Sequence, residues 1–76
     1  KAEYDALAQE FDTARELIAA RGRAGVTQLE LARRMGTTQS AIARLESGKR
    51  IPSIKTVQRY AKAIGCRAVV RLEPAS

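Results

Sequence analysis

The stretch Thr27 to Lys49, TQLELARRMGTTQSAIARLESGK, decides the fold of this chain. Counted from Gln28, a small residue stands fifth (Ala32), a glycine ninth (Gly36) and a β-branched residue fifteenth (Ile42). Each place has a mechanical meaning in two short helices that cross at a tight turn. Ala32 lets the second helix approach closely, Gly36 takes the positive φ of the turn, and Ile42 packs between the helices. Thr27 caps the first helix, with Glu30 at the third position completing a capping box, and Thr38 or Thr37 caps the second. The three spacings and the caps together predict a helix pair whose second member is shaped to enter a DNA groove.

Working outward, apolar residues at Tyr4, Leu7, Ala8, Phe11, Ala14, Leu17 and Ile18 recur at three and four. They predict an amphipathic helix from Ala2 to Ala24, weakened near its end by Gly22. Gly25 follows as a left-handed C-cap, and Arg21 and Arg23 suit the negative end of the helix dipole. In the second helix Leu29, Leu31, Ala32 and Met35 are expected to be buried. The third is expected from Gln39 to Ser47, with Ile42 and Leu45 as its inner edge and Gly48 as its stop. Lys49 to Pro52 forms a loop. Ser53 then caps a fourth helix from Ile54 to Ile64, whose Ile54, Val57, Tyr60, Ala61 and Ile64 face inward.

After Gly65 the pattern becomes a short β-rich run, Cys66 to Leu72, which Pro74 ends. A single strand has no partner within the chain, and its backbone donors and acceptors ask for a ladder from elsewhere. A two-fold related copy is the economical source. Arg67, Ala68, Val69, Val70, Arg71 and Leu72 are therefore expected to pair across a homodimer; the alternative is a frayed tail. The expected fold class is mainly α: one four-helix domain over residues 1–76 with a C-terminal β-strand. Its parts are an N-terminal helix (1–24), the crossing pair (27–47), a fourth helix (53–64) and a dimerisation strand (66–72).

With 76 residues the chain is near the lower limit for an independent core, so no catalytic cavity is expected. It opens on Lys1 rather than Met, as a processed or trimmed chain would. No apolar run approaches a membrane span and no basic start precedes an apolar stretch, so a cytoplasmic, bacterial location is expected. Cys66 is the one cysteine and histidine is absent, which leaves no disulfide, no zinc cluster and no cofactor to expect. Cys66 itself reads as a small, partly buried apolar residue. Without histidine, a reactive cysteine context or a phosphate-cradling glycine loop, nothing supports an enzyme.

The net charge of +6 hides an asymmetry. Residues 1–20 carry two basic against five acidic side chains, a net −3, whereas residues 21–71 carry twelve basic against two acidic, a net +10. A basic excess gathered on part of a small domain is a footprint for polyanions, though alone it also fits a solvated face. Its coincidence with the helix pair favours nucleic acid.

The residues VTQLELARRMGTTQSAIARLESGKRIPS, from Val26 to Ser53, closely resemble the helix-turn-helix family of phage repressors and of Cro and xenobiotic-response-element type regulators. The resemblance covers about residues 12–65 and rests on Thr27-Gln28, Glu30-Leu31-Ala32, Gly36, Gln39-Ser40, Ile42, Leu45-Glu46 and Gly48-Lys49. The ending AIGCRAVVRLEP, in place of a fifth helix, is similar to antitoxins of the HigA and HipB type, in which a C-terminal strand pairs across a dimer. The acidic N-terminal helix also resembles that of HigA-type antitoxins and departs from the compact phage repressors.

In such an architecture the third helix lies in the major groove and the second crosses the backbone. Gln39 then stands where family members use an amide, whose donor and acceptor match adenine N6 and N7. Ser40 lies beside it, Arg44 has the fork for guanine or for a phosphate, and Thr38 and Ala41 complete the base-contact set, Ala41 toward a thymine methyl. Gln28 resembles the family's phosphate-clamping glutamine. Thr27, Arg34, Thr37, Lys49 and Arg50 are the other expected phosphate contacts, which set register rather than sequence. Glu46 and Glu30 are expected to be structural. A dimer would select an inverted-repeat operator in double-stranded DNA and repress by excluding polymerase. Two functions remain: an antitoxin that represses its own operon and binds a toxin, and a free-standing repressor without one. For the first, Glu3, Asp5, Glu10, Asp12 and Glu16 form a candidate surface for a basic ribonuclease-type toxin; the simpler reading is a helix that extends the core.

Overall fold

The computed structural model describes residues 2–70 and 72–75, with side chains described from Thr13 onward. The side chains of Tyr4, Leu7, Ala8 and Phe11, expected on the apolar face, and those of Glu3, Asp5, Glu10 and Asp12 lie outside the described side chains, and Arg71 lies outside the described residues. Among the described residues the chain forms α1 (Ala2–Ala24), α2 (Gln28–Met35), α3 (Gln39–Leu45) and α4 (Ile54–Ala63).

Local chemistry sets the helix starts. The Thr27, Thr38 and Ser53 side chains, each on an extended residue, accept the N–H of Glu30, Ala41 and Thr56, so each satisfies one of the donors a helix start leaves unpaired. The capping box is only half made. The Glu30 carboxylate turns away to Arg34 (Nε to Oε2, 3.2 Å) and Arg33 (3.7 Å), because two cations one turn ahead attract it more strongly than a single N–H. Gly36 stops α2 at φ 68°, where its N–H and that of Thr37 close on the carbonyls of Arg33 and Ala32. Gly25 ends α1 in the same left-handed region, as the sequence predicts.

The core is built from Leu17, Val26, Leu31, Ala32, Ile42, Tyr60 and Ile64, with Ala20, Met35, Leu45, Val57 and Ala63 packed around it. Leu31 and Ile42 have no exposed surface, and burial of each side chain is worth ~1.5–3 kcal/mol relative to leaving it in water. Ala32 is 1% exposed, as the close crossing of α2 and α3 requires. Helix α4 closes the domain against α2 and α1. Two arginines tie α2 to α4 at their ends: Arg59 donates to the Met35 carbonyl at 3.1 Å, and Arg34 to the Ala63 carbonyl at 2.9 Å. Both bonds satisfy carbonyls that a helix end leaves open.

Several expectations are corrected. Leu29 is exposed, because the inward stripe of α2 runs Gln28, Leu31, Ala32, Met35 and Leu29 falls one residue beside it. Ile54 lies on the inward face of α4 but a turn ahead of the core, where it is 57% exposed. Helix α3 ends at Leu45, not Ser47. There the chain turns as Glu46 enters the core, and the Ser47 hydroxyl donates to the Arg44 carbonyl at 2.7 Å. Helix α4 ends at Ala63, with Ile64 as its C-cap. Cys66 is exposed rather than partly buried, since the chain leaves the core after Gly65.

The expected strand is not formed among the described residues. Cys66–Val70 and Leu72–Ala75 carry no regular structure, and Val69, Val70 and Leu72 are exposed. A strand needs a neighbouring backbone, and one copy of this chain supplies none.

Candidate nucleic-acid interface

Helix α3 presents the candidate reading face. Its inward positions are occupied by Ile42 and Leu45, which leaves Gln39, Ser40, Ala43 and Arg44 exposed on the opposite side. Helical spacing places Ser40 and Arg44 one turn apart on one line and Gln39 and Ala43 on the next. The short Ala43 leaves room for close approach. Thr38, exposed, is committed to capping the helix through its side-chain oxygen, and Ala41 is half-buried.

An open groove beside α3 is lined by Thr37, Ala41, Arg44 and Arg50, together with Pro52 and Arg59. Exposed Lys49 adjoins it in sequence. Thr27 and Gln28 stand at the start of α2, beside Gln39 rather than in that groove. Arg34 lies at the far end of α2, held between Glu30 and the Ala63 carbonyl. Of the acidic candidates in α1, Glu16 is described and is exposed.

Beneath this candidate face lies a polar network that the sequence did not reveal. Glu46, 8% exposed, is gripped by Arg21 through Nε to Oε2 (2.7 Å) and Nη2 to Oε1 (3.0 Å). The Arg21 Nη1 donates to the Val26 carbonyl at 3.1 Å and so fastens the α1–α2 loop. The Tyr60 hydroxyl directs its one proton at Glu46 Oε2 (2.5 Å), with the Leu17 carbonyl as a second acceptor at 3.0 Å. Gln28 Nε2 donates to Glu46 Oε1 at 3.0 Å, and the Gln28 Oε1 accepts from Gln39 Nε2 over a long 3.5 Å. All the helices therefore converge on one carboxylate, and among the described residues no buried side-chain polar atom lacks a partner.

Burial alone would push the Glu46 carboxyl up, but hydrogen bonds from Arg21, Tyr60 and Gln28, with the Arg21 charge, hold it below its ordinary value. The Tyr60 phenol is raised, by burial first and then by its bond to Glu46. Arg21 is raised by its hydrogen bonds to Glu46. Glu46 thus stays ionised and acceptor-only. One signal of this network was present in the sequence: residues 21–71 hold only Glu30 and Glu46 against twelve cations, so each acid was bound to find a partner. Which cation it would be lay outside local reasoning.

The arrangement can bind and read, through exposed amide, hydroxyl and guanidinium groups on a rigid helix. Among the described residues no group of three metal-ligating side chains occurs, and no helix is long and apolar enough to cross a membrane.

Comparison with known proteins agrees with this geometry. Residues 17–70 match the family described as Helix-turn-helix. The chain is 39% identical over 57 residues to the antitoxin HigA1 of Mycobacterium tuberculosis, in strains CDC 1551 / Oshkosh and H37Rv, a match covering 75% of this chain. It spans only 38% of HigA1's own length. It is also 46% identical over 41 residues, 54% of this chain and 59% of the relative, to an uncharacterized HTH-type transcriptional regulator of Methanothermobacter thermautotrophicus. No solved structure matches the chain.

Proposed function

The chain belongs to the helix-turn-helix family of DNA-binding regulators, and from that premise we propose that it is an antitoxin that represses its own operon and binds a toxin protein. The observation that carries the DNA-binding half is the shared exposed face of Gln39, Ser40 and Arg44 on a helix whose other face is packed into the core. In this reading those three side chains contact bases, with Thr38 and Ala41 beside them. Thr27, Gln28, Thr37, Lys49 and Arg50 hold phosphates, Gln28 and the open N-terminus of α2 acting together. Arg34 is a phosphate contact only if it gives up its bond to Ala63.

The likeness to HigA1 supports the antitoxin half, with exposed Glu16, and Glu3, Asp5, Glu10 and Asp12 earlier in the sequence, as the candidate surface for a basic ribonuclease-type toxin. A homodimer paired through Arg67 to Leu72 would present two α3 helices about 34 Å apart to an inverted-repeat operator. The exposure of Val69 and Val70, which line one groove with exposed Ile51 and Ile54, and that of Leu72 support such a contact.

Two measurements test the proposal. Gln39→Ala and Arg44→Ala lose operator binding at fixed salt while keeping the fold and any toxin complex; retained affinity in both variants overturns the reading face. Co-expression with the product of the adjacent reading frame yields a stable complex that neutralises a ribonuclease. A lone regulator, the reading that the Methanothermobacter relative favours, yields operator binding without such a complex.

A further inference from the structure

Glu46 has no exposed route to a nucleic acid, yet it is two hydrogen bonds from Gln39. Its ionised carboxylate offers lone pairs only, so the facing Gln28 amide has to turn its NH₂ group toward it, as it does at 3.0 Å. That choice leaves Gln28 Oε1 on the outer side. An oxygen there asks for a donor in turn, and Gln39 supplies its Nε2 at 3.5 Å. The remaining groups of Gln39, one N–H and the Oε1 acceptor, then face outward in a single order.

We infer that Glu46 is a positioning residue for sequence readout, which dictates through Gln28 the order in which Gln39 presents its amide donor and acceptor to a base edge. This rests on the assignment of Gln39 as a base contact. The order matters because an adenine edge carries an acceptor at N7 and a donor at N6, and only one amide orientation matches both in a given docking. Arg21 and Tyr60 extend the same logic. By occupying Glu46 from the inner side, they keep its Oε1 toward Gln28 and keep the carboxylate ionised.

The test uses Glu46→Gln, which preserves shape but replaces an acceptor-only group with an amide able to face Gln28 either way. A duplex is selected from a randomised library with the unaltered protein, and the base pair contacted by Gln39 is located as the position where Gln39→Ala loses preference. Affinities are then measured, well below the melting temperature, for duplexes carrying each base pair there. The unaltered protein is expected to prefer its own base pair by at least about fivefold, the low end for a bidentate amide contact. Glu46→Gln is expected to bind the selected duplex within a few-fold of the unaltered protein, to lose that preference, and to keep its preferences elsewhere. Gln28→Met, which leaves Arg21, Tyr60 and Glu46 intact, should relax the same preference, with an even loss of affinity added because Gln28 also holds a phosphate, and its preference at that position carries the test if Glu46→Gln does not fold. Full preference in either folded variant overturns the inference, and so does a loss of affinity in Glu46→Gln that is spread evenly over all positions, which marks a purely structural role. If Gln39→Ala changes preference nowhere, the base-contact assignment falls first and the inference with it.

Discussion

Arg21 grips both oxygens of Glu46, 25 residues further along the chain, with Nε to Oε2 at 2.7 Å and Nη2 to Oε1 at 3.0 Å. The pair joins the end of α1 to the residue that follows α3, so α3 is fastened to the N-terminal helix by charge as well as by apolar packing. Arg21 keeps some exposure and Glu46 almost none. The two partners are therefore not equivalent.

Removing Arg21 leaves the carboxylate buried without its counter-charge. Arg21→Met is expected to lower unfolding free energy by about 3 kcal/mol, toward the lower end for a broken buried pair because Arg21 is partly exposed. Arg21→Met combined with Glu46→Leu should lose less than Arg21→Met alone. Urea denaturation of the two variants checks the order, and a double variant weaker than the single contradicts the account.

Stability should have an acid limb and an alkaline limb belonging to this network. The Glu46 carboxyl lies below its ordinary 4.5 in the folded chain, so its contribution is complete above that value and fades as pH falls through the lower folded value. The Tyr60 phenol lies above its ordinary 10.0, so its contribution is complete below 10.0 and fades as pH rises through the folded value. The stability gap between the unaltered protein and Glu46→Gln, read from urea midpoints, should shrink as pH drops below 4.5. A gap of constant size would refute the linkage.

Two glycines should respond in opposite directions to alanine. At Gly36, φ 68°, an added Cβ meets nothing within 4 Å, so the cost is backbone strain alone, ~1–2 kcal/mol. Gly22 lies inside α1 with equally open surroundings, and Gly22→Ala should stabilise by ~0.5–1 kcal/mol through backbone entropy and helix propensity. Thermal melting of the two variants, one below and one above the unaltered protein, is the expected result.

Lys49 and Arg50 should act on affinity but not on sequence preference. Each change to alanine is expected to lower binding to every duplex alike and to flatten the log–log salt dependence by roughly 0.9 for each phosphate that is no longer neutralised. Gln39→Ala should leave that slope where it was. Titrations at several salt concentrations separate the two classes, and an unchanged slope in both cation variants would remove them from the phosphate-binding set.

Deleting Cys66 to Ser76 should turn a dimer into a monomer and weaken operator binding strongly, while the helical signal of α1 to α4 survives. Sedimentation decides the point. A truncated chain that remains dimeric places the contact elsewhere, with the exposed Ile51 and Ile54 as the next surface to alter.

Much of the fold was legible because its determinants are local. Thr27, Thr38 and Ser53 cap groups three residues away, and Gly36 sets its own φ, so spacing within a few residues was enough to place the helix starts and the crossing turn. The exposure of Gln39, Ser40 and Arg44 followed from Ile42 and Leu45 taking the inward positions of the same short helix. Leu29 departs from its apolar character because the inward stripe of α2 begins at polar Gln28 and leaves Leu29 beside it. That same register turns Gln28 inward to meet Glu46.

The sequence by itself determined the helices, their caps, the tight crossing at Ala32, Gly36 and Ile42, and the uneven charge that points to a polyanion. Only the tertiary structure decided that Glu46 takes Arg21 among twelve cations, that Tyr60 and Gln28 complete its shell, and that Gln39 is the outer end of that chain of bonds. The physical reason is distance along the chain. Caps and turns are set by neighbours a few residues apart, whereas a buried carboxylate is partnered by whichever donors the packed helices bring within about 3 Å of it.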